Sequence, residues 1–230
     1  MKKDLVAALM VSPLFYGIAE DRLTLLLEDL RPQCNDYGRN AYIAVEGEAY
    51  TGLGILLSGE AAVIKESAAG GRTIMTVIGP GDLFGEMIAF SKKRQWPASV
   101  LAQSPCTVTF LAPDKILGEC CNDGGSYKEF IKNLLTIIST KALMLNQRVE
   151  YLALKGMREK ISVYLLAQYK TNKKDTFTLP LNRNELAEFL NVSRTALSRE
   201  LGRMRDEGII DFYRTSIKIK NLLLLQKGAG

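Results

Sequence analysis

The amino-acid sequence predicts a protein of the α+β class, with a β-rich N-terminal region, a long helix and a helical C-terminal region. Three patterns in its 230 residues indicate this organisation. Short apolar runs separated by glycine-bearing turns follow one another between residues 37 and 111. An apolar heptad pattern covers residues 131–152, and two short helical patterns meet at a turn within residues 182–206. A chain of this length is sufficient for two folded regions.

The first region is expected to begin with helices and continue as β-structure. Leucines recur at helical spacing over residues 4–30, with an interruption near Ser12 and Pro13. The apolar runs that follow lie at residues 42–45, 54–57, 61–64 and 73–78. Glycine-bearing turns lie at residues 46–48, 58–60, 70–71 and 79–82. This rhythm predicts an all-β sandwich, roll or barrel.

The long helix carries the clearest periodicity in the sequence. Its apolar positions alternate by four and three residues and are Ile131, Leu135, Ile138, Ala142, Leu145, Val149 and Leu152. A seam this narrow needs a facing helix, and the same helix of a second copy is the simplest partner. The alternative is a single helix packed on the β region of its own chain. Gly156 then interrupts the pattern and is a candidate hinge.

Local signals after the hinge predict a helix-turn-helix. One helix places Ile161, Leu165 and Leu166 on its inner face and ends at the polar segment 171–175. Asn182 and Glu185 then form a capping box that begins the next helix. Asn191 stands where a tight turn needs a residue that tolerates positive φ, and Ser193 caps the last helix. The inner face of that last helix consists of Leu197, Leu201 and Met204.

The opposite face of this last helix is polar and basic. It consists of Ser193, Arg194, Thr195, Ser198 and Arg199. Such a face suits a recognition helix in the major groove of DNA, where an arginine can bind guanine O6 and N7. Runs at 209–213 and 217–220 flank Arg214, Thr215 and Ser216, which predicts a hairpin wing whose tip touches the DNA backbone. The alternative is an ordinary helical pair with a solvated arginine face.

The charge distribution agrees with a nucleic-acid-binding C-terminal region. Residues 155–230 carry 15 Lys and Arg against 8 Asp and Glu, a net charge of +7. Residues 1–154 carry 15 against 17, a net charge of −2. A basic segment after a slightly acidic one is typical of a nucleic-acid-binding module, although a solvated basic surface would show the same balance.

Composition disfavours several other classes of protein. The sequence has no histidine, the commonest general base and a usual ligand of haem and zinc. It has neither a nucleophile elbow nor a phosphate-binding loop, so we expect no enzyme. The four cysteines, Cys34, Cys106, Cys120 and Cys121, lack paired metal-ligand spacing, so we expect free thiols and no metal site. Without a secretory signal or a membrane-length apolar run, we expect a cytoplasmic protein with no membrane partner.

Three features occur in a recognisable order along the sequence: Pro-Gly-Asp-Leu-Phe-Gly-Glu at 80–86, the long helix before Gly156, and Val-Ser-Arg-Thr-Ala-Leu-Ser-Arg-Glu-Leu at 192–201. With these features the sequence resembles the CRP/FNR family of bacterial transcription regulators over nearly its whole length. The resemblance implies a cyclic-nucleotide-type β-roll, similar to a double-stranded jelly roll, as a sensor domain over 1–125. It also implies a parallel dimerisation helix and hinge over 126–156 and a winged helix-turn-helix that binds DNA over 157–230. The implied partners are an inverted-repeat operator in double-stranded DNA, a second copy of the chain and RNA polymerase.

The resemblance also assigns roles within the recognition helix. Arg194 and Arg199 fall where family members contact phosphate and guanine. Thr195 lies between them, where the family often has a glutamate. Because of this departure, we do not expect the protein to bind the DNA half-site that is usual for the family.

The sensor region departs further from the family pattern. Gly85 and Glu86 fall where cyclic-AMP-binding members approach the phosphate and hold the ribose, but Trp96 and Pro97 replace the Arg-Ser pair of those members. Proline also lacks an N–H donor. Arg94 could substitute only if the loop is shifted. On the long helix, Leu145 and Asn146 replace the Thr-Ser pair that contacts the nucleobase.

We therefore expect any effector to be a small molecule other than cyclic AMP. The candidate effector-binding residues are Gly85, Glu86, Arg94, Trp96 and Asn146. Trp96 is either one wall of a site for a planar effector or part of the core. Haem and an iron–sulfur cluster are also disfavoured, because only Cys34 lies near the N-terminus and no histidine is available. The predicted function is a homodimeric DNA-binding regulator, and the alternative is a signal-binding module that acts on a protein partner.

Overall fold

A computed structural model describes residues 2–66, 71–118 and 124–230. Backbone contacts divide the chain into two compact units, residues 1–140 and residues 141–230. The division falls inside one long helix rather than at either of its ends. The division of the chain into a sensor domain over 1–125, a dimerisation helix over 126–156 and a DNA-binding domain over 157–230 therefore stays a prediction.

The first unit begins with short helices, as the leucine spacing predicts. Helix α1 spans Lys2–Leu9, a 3-10 turn spans Pro13–Phe15 and helix α2 spans Glu20–Leu30. The interruption has a local cause, since the Ser12 hydroxyl accepts from the Leu14 N–H and Pro13 supplies a preset φ at the first position of the turn. Most leucines of the two helices are buried in one core with Leu53, Ile55 and Leu111 of the β-structure, and these are Leu9, Leu23, Leu26, Leu27 and Leu30.

Within the described part of this unit, eight strands form two four-stranded antiparallel sheets. The strands are β1 Gln33–Tyr37, β2 Tyr42–Ala44, β3 Leu53–Ser58, β4 Ala61–Glu66, β5 Arg72–Ile78, β6 Leu83–Phe84, β7 Ser99–Ala102 and β8 Cys106–Leu111. One sheet has the order β1-β8-β3-β6 and the other β2-β7-β4-β5. The predicted β-roll is confirmed. The predicted turns contain Gly47, Gly59 and Gly81, all at positive φ, a conformation that side chains with a Cβ rarely adopt.

The two described cysteines of this unit are free thiols. Cys34 lies exposed on β1 beside the Thr109 hydroxyl, and Cys106 is buried at the start of β8. Cys120 and Cys121 lie outside the described residues. Within the described ranges, no group of three or more metal-ligating side chains comes together, and no helix is long and apolar enough to cross a membrane.

The long helix has two different environments along its length. Helix α3 spans Pro113–Ile116, and α4 spans Gly124–Ala153. Phe130 and Leu134 of α4 are buried in the core of the first unit, where Ile131 and Ile138 of the predicted seam are partly buried. The rest of the seam, Leu135, Ala142, Leu145, Val149 and Leu152, is exposed. The start of the helix thus packs on its own β region, and the remaining seam residues lie in solvent.

The second unit is a winged helical domain. Its elements after α4 are α5 Met157–Asn172, β9 Thr176–Thr178, α6 Arg183–Phe189, α7 Arg194–Asp206, β10 Ile210–Tyr213, β11 Ser216–Ile219 and α8 Leu222–Lys227. The sheet is antiparallel with the order β10-β11-β9. Strand β9 and helix α8 are not anticipated by the sequence patterns, because β9 has only one buried side chain, Phe177, and α8 is a short apolar run without helical periodicity.

The end of α4 belongs to the core of this second unit. Tyr151 is 7% exposed and its ring lies 5.2 Å from that of Phe189 and 6.0 Å from that of Tyr164. The helix stops at Ala153, and α5 starts after Gly156, which is its N-cap. The helical pattern is therefore interrupted over residues 154–156, where the sequence predicts an interruption, and a hinge at Gly156 stays a prediction. Tyr151 packs onto the helices that follow this interruption.

Candidate nucleic-acid interface

The first helix of the helix-turn-helix is fixed by its cap. The Asn182 side chain accepts from the N–H groups of Asn184 (2.9 Å) and Glu185 (3.1 Å), and the Asn182 N–H donates to the Glu185 carboxylate at 2.7 Å. The predicted capping box is confirmed. It satisfies N–H groups that the first turn of a helix otherwise leaves without partners.

The turn between the two helices follows equally local rules. Asn191 has φ of 51°, the left-handed conformation predicted for it. Ser193 caps α7 through its hydroxyl, which accepts from the Ala196 N–H at 3.2 Å. The Lys160 ammonium donates to the Leu190 carbonyl at 3.2 Å, at the end of α6. Caps and turn thereby set where α7 begins relative to α6.

Helix α7 has one buried and one exposed face. Leu197, Leu201 and Met204 are each no more than 1% exposed, as predicted from their spacing. The exposed residues on the other side are Ser193, Arg194, Thr195, Ser198 and Arg199. The apolar side anchors the helix in the core, so the polar side chains project from a fixed surface.

The predicted wing is a two-stranded hairpin. Arg214 and Thr215 form its turn, with Arg214 at φ of 54°, and Ser216 already belongs to β11 opposite Tyr213. The Thr215 carbonyl accepts from the Leu179 N–H at 2.9 Å, so the turn is tied to the segment that precedes α6. The Arg214 guanidinium lies 5.5 Å from the centre of the Tyr213 ring.

Helix and wing together enclose an open concavity of about 470 Å³, which we call the arginine concavity. It is lined by Asn182, Arg183, Arg194, Ser198, Phe212, Arg214 and Thr215. Four of the predicted DNA-binding residues, Arg194, Ser198, Arg214 and Thr215, thus share one surface feature. Ser193, Thr195, Arg199 and Ser216 do not line it, and the first three lie on the exposed side of α7.

Sequence reasoning missed Arg183, which also lines the arginine concavity. Its guanidinium stacks 5.0 Å from the centre of the Phe212 ring, and its Nη2 lies 3.5 Å from the Arg214 carbonyl. Its Nη1 is buried and has no hydrogen-bond partner among the described residues. Burial, together with the nearby charge of Arg194, lowers the pKa of Arg183. A signal existed in the sequence, because a cation at the first position of a helix opposes the helix dipole.

Two of the residues predicted to bind an effector, Gly85 and Trp96, are in contact within the first unit. Trp96 is 4% exposed and packs against Tyr50 and Phe84, with ring centres 4.8 and 5.9 Å away. A Cβ on Gly85 would lie 2.7 Å from the Trp96 ring, so only glycine fits there. Glu86 is buried. Of the two roles considered for Trp96, this packing favours the core.

The remaining two effector candidates are exposed. Arg94 is an exposed loop residue whose carbonyl accepts from the Tyr50 N–H at 3.2 Å. Asn146 is exposed on the part of α4 that belongs to the second unit, where its amide donates to Glu150 at 2.9 Å. Tyr50 links to the Gly85 carbonyl through its hydroxyl at 2.9 Å, and burial and the charge of Glu86 raise the pKa of Tyr50.

Comparison with known proteins agrees with this arrangement of a β-roll and a winged helix. Residues 35–122 match the cyclic nucleotide-binding domain family, and residues 159–227 match the Crp-like helix-turn-helix domain family. These two matches, in this order, cover more than half of the chain. They define a transcription regulator with a DNA-binding helix-turn-helix and a cyclic-nucleotide-binding-like domain.

The chain belongs to the CRP/FNR family. It is 21% identical to the Cyclic AMP receptor protein of Thermus thermophilus, over 94% of this chain and 96% of that protein. It is 22% identical to the CRP-like cAMP-activated global transcriptional regulator of Mycobacterium tuberculosis, over 90% of this chain and 92% of that protein. The crystal structure of Thermus thermophilus Catabolite Activator Protein has a similar fold, with a TM-score of 0.54 and 22% identity over 95% of this chain and 98% of that one.

Proposed function

We propose that the protein is a homodimeric regulator that binds an inverted-repeat operator in double-stranded DNA. The observation that carries this proposal is the arginine concavity. Three arginines, Arg183, Arg194 and Arg214, line one open surface beside the exposed side of α7. Burial and the nearby charge of Arg194 lower the pKa of Arg183, and a phosphate of the DNA backbone would offset both effects.

Within this proposal the concavity supplies affinity and α7 supplies sequence choice. Phosphate contacts position a protein on the duplex, whereas contacts to base edges select the sequence. Arg199 is exposed on α7 outside the concavity, which suits a bidentate contact to a guanine. Thr195 offers a hydroxyl and a methyl group for a phosphate or a thymine methyl. The glutamate that many relatives place here is absent, so we propose a half-site that differs from theirs.

The exposed seam residues support the dimer. Leu145, Val149 and Leu152 are between 45% and 63% exposed on the same helix, although large apolar side chains at heptad spacing normally contact a partner. A parallel pair of such helices would place two recognition helices about 34–36 Å apart, one turn of the duplex, and an inverted repeat follows from the two-fold symmetry.

We further propose that any effector is a small molecule other than cyclic AMP. By family resemblance, Trp96 falls where cyclic-AMP-binding members have the arginine that contacts the phosphate. This supports the proposal, because Trp96 packs in an aromatic group with Tyr50 and Phe84. At this position the phosphate of cyclic AMP would therefore meet the Trp96 indole in place of a cation. An effector would act by binding one arrangement of the protein more tightly than another. By family resemblance, RNA polymerase is a partner and the cytoplasm is the compartment.

Selection of bound duplexes from a random pool, with and without cell extract, tests this function. Enrichment of an inverted repeat supports it, and dependence on the extract would reveal an effector. Binding should also fall by about 10³- to 10⁵-fold between 50 and 200 mM salt, as for other proteins that make 6–10 phosphate contacts. No enrichment and no salt-dependent binding would favour the alternative, a signal-binding module that acts on a protein partner.

Arg199→Ala separates base reading from phosphate binding. We expect it to lose discrimination at one base pair of each half-site, worth about 1–3 kcal/mol, while the preference at other positions is kept. A binding assay against all single-base variants of the selected duplex measures this. Equal weakening on every sequence would instead make Arg199 a phosphate contact.

A further inference from the structure

An ion cluster on the protein side of α7 ties this helix to α5. Arg158, in the first turn of α5, donates from Nε to the Glu200 carboxylate at 2.6 Å. Its Nη1 and Nη2 donate to the two oxygens of Glu207, each at 2.7 Å. Glu200 is the central residue of the 13-residue helix α7, and Glu207 is the C-cap of that helix. One guanidinium thus holds two points of the helix that presents Arg194 and Arg199.

The geometry of this cluster is specific. Glu200 is 9% exposed, so its carboxylate depends on the cations around it. The paired contact to Glu207 is bidentate, which fixes direction as well as distance. The pKa of Glu207 lies below its usual value, chiefly because of the hydrogen bonds from Arg158. Arg203 also contacts Glu200, at 3.3 Å, but it belongs to α7 itself and cannot tie two helices together.

The first turn of α5 contacts the other helix of the motif as well. Lys160 is 8% exposed, and its ammonium donates to the Leu190 carbonyl at the end of α6. Arg158 therefore contacts α7, and Lys160, two residues later, contacts the turn between α6 and α7. Both follow the break at residues 154–156 directly.

We propose that Arg158 is a positioning residue for base reading, which acts by fixing the direction of α7 relative to α5. This inference rests on the proposed DNA-binding function. The residues that would read bases lie in the first two turns of α7, and Arg158 holds the middle and the C-terminal end of that helix. A helix of 13 residues is about 20 Å long, so a tilt of about 6° displaces one end by about 2 Å relative to the other. Bidentate contacts to bases do not tolerate such a displacement.

The test compares the full-length protein with Arg158→Met, with Glu207→Gln and with the matched control Arg203→Gln. The dissociation constants for the selected operator duplex and for a scrambled duplex of equal length are measured at one salt concentration. We expect Arg158→Met to lower the ratio of operator affinity to scrambled affinity by about 10- to 100-fold, the discrimination that one or two base contacts supply. Glu207→Gln should lower it by a smaller factor. Arg203→Gln should leave it unchanged, although it removes an arginine from the same carboxylate.

Circular dichroism of each variant shows whether the second unit is folded. If Arg158→Met does not fold, Glu207→Gln decides, because the Glu207 side chain is 47% exposed and its neutral form leaves no buried charge. An unchanged ratio in a folded variant, or an equal loss on both duplexes, overturns the positioning role while the DNA-binding function stands. If the unaltered protein binds neither duplex in a salt-dependent way, the proposed function itself is wrong.

Discussion

Replacing Arg183 with methionine should change how DNA affinity depends on salt. Methionine keeps the contact with the Phe212 ring and removes the charge that lies in the arginine concavity. In duplex DNA, the logarithm of affinity falls by about 0.9 per decade of salt for each phosphate that the protein neutralises. If each of the three arginines neutralises one phosphate, a dimer makes about six such contacts and the variant about four.

The magnitude follows from those contacts. Over the fourfold rise from 50 to 200 mM salt, six contacts lower the affinity by about 2000-fold and four contacts by about 150-fold. Contacts made elsewhere affect both proteins equally. The ratio of the DNA affinity of the unaltered protein to that of Arg183→Met should therefore fall by about 12-fold between 50 and 200 mM salt, on operator and scrambled duplexes alike.

Fluorescence anisotropy of labelled duplexes at four or more salt concentrations measures both slopes. The matched control is Arg205→Met, because Arg205 packs on the same Phe212 ring, 5.6 Å from its centre, but does not line the arginine concavity. The control should keep the slope of the unaltered protein. Equal slopes for Arg183→Met and the unaltered protein would show that Arg183 does not contact phosphate, and an equal change in Arg205→Met would show a general effect of charge.

Three further perturbations test the seam, the core of the second unit and the effector site. Leu145→Glu should abolish the dimer by placing a charge in the seam. Leu143→Glu should not, because Leu143, 66% exposed against 46% for Leu145, lies outside the seam; a dimeric Leu145→Glu on sedimentation would refute the seam. Tyr164→Phe should keep or raise the free energy of unfolding, by up to about 1 kcal/mol, because the buried Tyr164 hydroxyl has no partner among the described residues, and a loss seen in urea unfolding would reveal a missed contact. Burial raises the Tyr164 pKa to about 12 from its value of 10.0 in the unfolded chain. The stability that depends on the neutral hydroxyl is therefore fully present below pH 10 and is lost as the pH rises through 12. Tyr164→Phe should remove this part of the alkaline destabilisation. Millimolar cyclic AMP should leave the melting temperature unchanged, and a rise of several degrees would contradict the role given to Trp96.

The sequence could predict the recognition motif because its signals are local. Asn182 and Ser193 cap helices that begin one residue later, and Asn191 adopts the φ that its position requires. The buried leucines of α7 follow from helical spacing alone. The resemblance to the CRP/FNR family likewise depends on short motifs, and it predicted the β-roll and the winged helix that the structure contains.

Tertiary structure decided the features that join distant residues. Arg183 gains its significance from Phe212 and Arg214 of the wing, about thirty residues away, and Arg158 meets Glu200 and Glu207 across separations of 42 and 49 residues. Strand β9 exists because β11 supplies its hydrogen bonds. The physical reason is that caps, turns and helix faces are fixed by neighbours within four residues, whereas ion pairs, concavities and sheet edges depend on how the elements pack. The sequence by itself thus determined which surface faces outward, and only packing determined which arginines gather on it.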